Sequence, residues 1–259
     1  YHLNSVLFCK GMIMKRFLAT SAVLLMSAGL SSNAVSAPVS VFSTDFNGSL
    51  PSEITPGSAI LTDVQGYAGY GPSGNQFGGN FLRSATGNVV SLTLDNLPTH
   101  DTISLSFLFA AIDSLDGTGT FPAGDFFKIV FDGNTLFSES FANALPEQIQ
   151  SYVPPAGVEL ARHIDLGFSG PGSYYTDSAY NFGADPRFAN FAHTAPSAKI
   201  DFFIYGPGNQ DLNDESWAMD NLNVSVTTLA VPEPETYVMF LAGLGLMGFM
   251  VRRKKENQA

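Results

Sequence analysis

The stretch Thr102-Ile103-Ser104-Leu105-Ser106-Phe107-Leu108-Phe109-Ala110-Ala111 sets Ile103, Leu105, Phe107 and Phe109 at every second position. Period-two alternation turns one side of a strand toward a core. Residues 88–94 repeat the pattern, with Val90, Leu92 and Leu94 inward. Further β-branched or aromatic runs lie at 126–132, 135–141, 160–168, 199–205 and 216–227. Asp132-Gly133-Asn134 separates two of them, and an Asp-Gly pair accepts the positive φ of a tight hairpin. No amphipathic helix stands out; residues 143–150 offer a turn or two at most. Short strands joined by long Gly-, Pro- and Asn-rich loops predict an all-β fold, a single antiparallel β-sandwich of the jelly-roll kind.

The last run carries an irregularity. Trp217 and Met219 share one parity, whereas Leu222, Val224 and Val226 share the other. The inward face therefore switches at Asp220-Asn221, which predicts a bulge that re-aims the Asp220 carboxylate.

The chain has 259 residues, 12 Lys+Arg against 23 Asp+Glu, and one cysteine. This length suits one domain or two small ones with a real core. The acidic balance argues against nucleic acid as a partner, which needs a basic face. A single cysteine excludes a disulfide framework.

Both ends read as addresses. The first methionines are Met12 and Met14; Lys15 and Arg16 then precede an apolar stretch over 17–30, with small residues ending at Ala34 and Ala37. This is the pattern of a secretory signal peptide, cut by signal peptidase after Ala34 or Ala37. Residues 1–11, which hold Cys9, read as upstream read-through. At the other end, Val231-Pro232-Glu233-Pro234 leads into an apolar run closed by Arg252-Arg253-Lys254-Lys255. As a helix, residues 236–251 would reach about 24 Å against ~30 Å of hydrocarbon. The expectation is one short transmembrane helix with snorkelling cations and the body outside. The resulting division is 1–37 leader, 38–230 extracellular sandwich and 231–259 sorting signal.

Residues 231–259 resemble the PEP-CTERM protein-sorting signal of Gram-negative bacteria: a Pro232-Glu233-Pro234 triplet, a short Gly-containing apolar segment and an Arg-rich end with Arg252 and Arg253. The resemblance implies recognition by an exosortase, a membrane-embedded cysteine protease. It also implies export across the inner membrane with transient anchoring, then delivery to the cell surface or the exopolysaccharide and biofilm matrix. The triplet would serve recognition and carry no chemistry itself.

Seven of the 12 cations (Lys10, Lys15, Arg16, Arg252, Arg253, Lys254, Lys255) and three of the 23 acids (Glu233, Glu235, Glu256) belong to these ends. The body keeps five cations against 20 acids, a net −15, and 15 of those acids are Asp. Asp favours loops and oxygen-rich ion sites over helix surfaces.

Three stretches, Asp45-Phe46-Asn47-Gly48, residues 112–117 and residues 214–222, resemble bacterial extracellular jelly-roll domains related to lectins and carbohydrate-binding modules. That resemblance implies a structural calcium shared by the first and last strands. Calcium takes six to eight oxygens, which Asp carboxylates and loop carbonyls supply. Two clusters are candidates: Asp45 with Asp220, and Asp113, Asp116 and Asp125 around one Gly-rich loop. Solvated loop acids with Asp-Gly turn chemistry are the plain alternative.

For glycan binding, Tyr67, Tyr70, Tyr152, Tyr174, Tyr175 and Tyr180 fall in expected loops beside hydrogen-bonding Asn and Asp. Tyrosine faces suit sugar rings, and exopolysaccharide is the candidate ligand. Packing over the sandwich ends is the alternative, and Trp217, in a strand, belongs to the core.

Enzyme motifs fail. Residues 69–74 match G-x-G-x-x-G, but no helix follows to bind a pyrophosphate. Gly167-Phe168-Ser169-Gly170 misses the nucleophile-elbow spacing. His100, His163 and His193 are widely separated along the body and lack zinc-ligand spacing. The expectation is a non-catalytic, calcium-stabilised surface or matrix protein. The alternative is a secreted glycan hydrolase built on two facing carboxylates.

Overall fold

The computed structural model describes residues 37–118, 124–143, 147–168, 176–228 and 234–256. Its elements in order are β1 (Val39–Thr44), β2 (Ile54–Thr55), β3 (Ile60–Asp63), β4 (Asn80–Ala85), β5 (Val90–Leu94), β6 (Thr102–Asp113), β7 (Phe126–Phe131), β8 (Asn134–Ser140), β9 (Glu159–Ile164), β10 (Asp177–Asn181), β11 (Phe191–Ala192), β12 (Ala198–Tyr205), β13 (Glu215–Thr227) and α1 (Pro234–Glu256).

The strands form two antiparallel sheets. One is five-stranded, in the order β2-β5-β12-β7-β8. The other runs β3-β4-β13-β6-β10-β9, with β1 added beside β13 and β11 beside β6. The chain crosses repeatedly between them, as expected for a jelly-roll sandwich. The alternation in β6 does what its period predicts: Ile103, Leu105, Phe107 and Phe109 point between the sheets. They meet Val90 and Leu92 from β5, Phe127 and Ile129 from β7, and Ile200, Phe202 and Ile204 from β12.

Phe109 sits at the centre. Its ring lies 4.3 Å from that of Phe127 and 5.0 Å, stacked, from that of Phe182. Aromatic pairs at such separations add to the stabilisation from area burial alone.

The second half of β6 is buried on both faces. Leu108, Ala110 and Ile112 turn away from the inter-sheet core into a smaller cluster with Val64, Tyr67, Phe77, Phe81, Leu166 and Phe168. Loop residues 64–79 thus cover the outer face of the larger sheet. Period-two reasoning assigns that face to solvent and misses this cover.

Two local expectations hold. Asp132 (φ 46°) and Gly133 (φ 79°) turn β7 into β8, which is the positive-φ pair of a type I′ hairpin. In β13 the register against β6 slips between Asp220 and Asn223, with Asn221 at φ 51°. Before this bulge β13 pairs with β4; after it, with β1.

Helix α1 begins at Pro234, and its apolar side chains from Met239 to Val251 include many exposed ones. Among the described residues no helix is long and apolar enough to cross a membrane. The expected transmembrane helix is not shown by this segment. The apolar run is interrupted by Gly243, Gly245 and Gly248 and bounded by Glu235 and Arg252, which leaves it short of a hydrocarbon core. The signal-peptide reading and Pro232-Glu233 lie outside the described residues.

Candidate functional site

At one end of the sandwich, three acids from three strand ends converge. Asp116 follows β6, Asp125 precedes β7, and Glu215 opens β13. One carboxylate oxygen from each lies within 4.8 Å of the others, and all three residues are buried. The Asp116 N–H donates to Asp125 Oδ2 at 2.6 Å, and Gln148 Nε2 donates to Asp116 Oδ1 at 2.6 Å. Gln210 Nε2 donates to Glu215 Oε1 at 2.8 Å, while Glu215 Oε2 has no partner. Burial pushes Glu215 up to about 9 and Asp125 up to about 6, and raises Asp116. Neighbouring carboxylates add to the first two shifts.

The expected trio of Asp113, Asp116 and Asp125 is therefore corrected. Asp113 lies opposite Glu215 in the β6–β13 ladder and turns to a different partner. Its Oδ2 is 3.5 Å from Arg83 Nη2. Asp177 sits beside this pair, with its oxygens accepting from the Asp113 N–H at 3.0 Å and the Leu166 N–H at 2.7 Å. Burial, then the Asp177 charge, pushes Asp113 up to about 8, although Arg83 opposes the shift. Burial likewise raises Asp177 to about 6. Glu215 escaped sequence reasoning because strand-parity analysis starts at Ser216. The signal was available in the adjacent Asp214-Glu215 pair at the head of an apolar run.

The other expected pair is brought near. Asp45 lies one residue beyond β1, and Asp220 lies in the β13 bulge; β1 and β13 pair as far as Thr44 opposite Leu222. Asp220 is buried and accepts from the Gly78 N–H at 3.1 Å and the Asn221 N–H at 2.7 Å. Burial pushes it up to about 7, with Asp45 contributing repulsion. Asp45 is exposed, and hydrogen bonds from Asn47 lower its pKa. An open cleft beside them is lined by Thr44, Asp45, Asn75, Asn221 and Asn223.

The tyrosine platform is largely overturned. Tyr67 is fully buried, and its hydroxyl donates to the Ala111 carbonyl at 3.0 Å. Tyr180 lies in β10 and Tyr152 beneath it, with rings 5.6 Å apart in the core. Their hydroxyls reach Gln150 Oε1 and Asp185 Oδ2. A ring held between sheets has no face to offer a sugar. Tyr70 remains half-buried, and Tyr174 and Tyr175 lie outside the described residues. Trp217 is in the core, as expected.

The histidines are not all apart. His100 Nε2 and His193 Nδ1 are 2.6 Å apart, and His193 Nε2 is 3.2 Å from Asp132 Oδ2. The fold joins residues 93 positions apart because β11 and β6 pair, as Phe191 opposite Ile103 shows. This contact ties the β7–β8 turn to the loop before β6 and has the form of a structural link.

A protein-family model described as the PEP-CTERM protein-sorting motif matches residues 230–254. The C-terminal segment is thus a PEP-CTERM sorting motif, which accounts for the apolar helix and its cationic end. No curated protein matches the chain. Among solved structures, a family 35 carbohydrate binding module from Clostridium thermocellum is similar over 73% of this chain and 98% of its own, at 15% identity and TM-score 0.31. A Paenibacillus sp. cycloisomaltooligosaccharide glucanotransferase is similar over 74% of this chain, at 13% identity and TM-score 0.31. The chain spans only 19% of that enzyme's length.

Proposed function

We propose that this chain is an exported protein of a Gram-negative cell, processed by an exosortase and delivered to the surface or the extracellular matrix, where its sandwich acts without catalysis. The carrying observation is the sorting motif at 230–254, attached to an acidic antiparallel sandwich. A leader read at residues 14–37 and a cysteine-free body after Cys9 agree with export. A non-catalytic body is supported by where the acids gather. Asp113, Asp116, Asp125, Asp177 and Glu215 are all at most 8% exposed, so none stands at an open cleft to meet a glycosidic oxygen.

Exopolysaccharide is the proposed partner of the exposed loops. Among the described candidate tyrosines, Tyr70 is the half-buried one. Expression in paired strains with and without an exosortase tests the sorting half of this reading. The C-terminal segment should be lost only where the protease is present. Equal processing in both strains would refute it.

A further inference from the structure

Asp116, Asp125 and Glu215 bring three carboxyl groups together, and among the described residues two side-chain amides and the Asp116 N–H donate to them. Among the described residues, none of the three has an ion-pair partner; Arg83, a cation of the same sheet, is held by Asp113. Burying like charges without a counter-charge costs several kcal/mol per ion. A cation held among them would remove that cost.

The unpartnered atom points to what it is. Glu215 is fully buried, and its Oε2 accepts nothing. A buried carboxylate oxygen with no donor is rare in a folded protein and calls for a ligand or ion. Oxygens bound to one calcium at about 2.3–2.6 Å can be separated by at most about 4.6–5.2 Å. The observed spread, within 4.8 Å, falls inside that limit. Gln148 and Gln210 stand at the rim, and turning either amide would present a further oxygen. The donor set is all oxygen, which suits a hard cation and disfavours zinc or copper.

We propose that Asp116, Asp125 and Glu215 bind one divalent cation of the calcium class and that this ion ties the two sheets together. Asp125 leads into β7 of the five-stranded sheet, whereas Asp116 follows β6 and Glu215 opens β13, both strands of the larger one. The site is independent of the sorting reading. It also differs from the Asp45–Asp220 pair, whose buried member already has both oxygens occupied by N–H donors.

The test uses the purified full chain, stripped with EDTA and then given calcium chloride alone. Calcium at a hundredfold excess over its Kd should raise Tm by roughly 5–10 °C. Asp116→Asn and Glu215→Gln should each abolish the rise, while Asp220→Asn should keep it. If Glu215→Gln does not fold, Asp116→Asn decides, since its position lies nearer the surface. Magnesium should give a smaller rise, because it surrenders its water reluctantly. An unchanged Tm in the wild type would overturn the site. So would a rise that survives Asp116→Asn or that disappears only in Asp220→Asn. A magnesium rise equal to that of calcium would overturn the assignment of ion class.

Discussion

Arg83 Nη2 lies 3.5 Å from Asp113 Oδ2, with the two side chains 9% and 0% exposed. Arg83 also donates to Ser216 Oγ at 2.9 Å and to the Leu212 carbonyl, and its guanidinium stacks 4.3 Å over the Phe168 ring. One cation thus serves two buried carboxyl groups, Asp113 and Asp177, and joins β4, β6 and β13 through the outer face of the larger sheet.

Removing that cation should be expensive. Arg83→Ala is expected to destabilise the fold by about 3–5 kcal/mol, the range for breaking a buried pair from one side. Asp113→Asn should cost far less, because Asp113 has no hydrogen-bond donor to lose. Urea denaturation of both variants checks the asymmetry.

The same trio sets a pH dependence. Asp113 stands at about 8 and Asp177 at about 6, both above the unfolded value of 3.8. A raised carboxyl binds its proton more tightly in the folded chain. Its stabilising contribution is present below about pH 4 and lost as pH rises through 6 and 8. In EDTA, Tm should fall across that window, and Asp113→Asn should flatten the upper part of the fall. A Tm that rises from pH 6 to 8 would contradict the assignment.

The core makes a plainer demand. Phe109→Ala should destabilise by about 3–5 kcal/mol, since the ring fills space between Phe127, Phe141 and Phe182 that cannot collapse. Chemical denaturation with an unchanged m-value is the check.

Gly133→Ala isolates backbone strain. A Cβ there would meet nothing within 4 Å, yet φ is 79°. The expected cost is about 1–2 kcal/mol, from the left-handed conformation alone. A neutral substitution would mean the hairpin turn relaxes to another type.

How much of this was legible beforehand depended on whether the physics was local. Alternation over 102–111, the Asp132-Gly133 turn and the parity switch at Asp220 all report constraints set within a few residues, and all appear in the fold. β10 does not read as a strand in the sequence because Asp177-Ser178-Ala179-Tyr180-Asn181 is buried on both faces and so shows no alternation. Tyr67 and Tyr180 read as loop residues for the same reason: a covering loop and a two-sided strand leave no period. Asp113 and Asp116 are three positions apart yet serve different centres. The choice of partner is made by β4 bringing Arg83 and β13 bringing Glu215.

The sorting claim is tested most directly by replacing Pro232-Glu233-Pro234 with alanines in the native host and following the chain by mass. The account predicts that the wild type appears at the surface shortened at its C-terminus, while the variant accumulates as the unprocessed chain in the cell envelope. A variant shortened and exported like the wild type would contradict it.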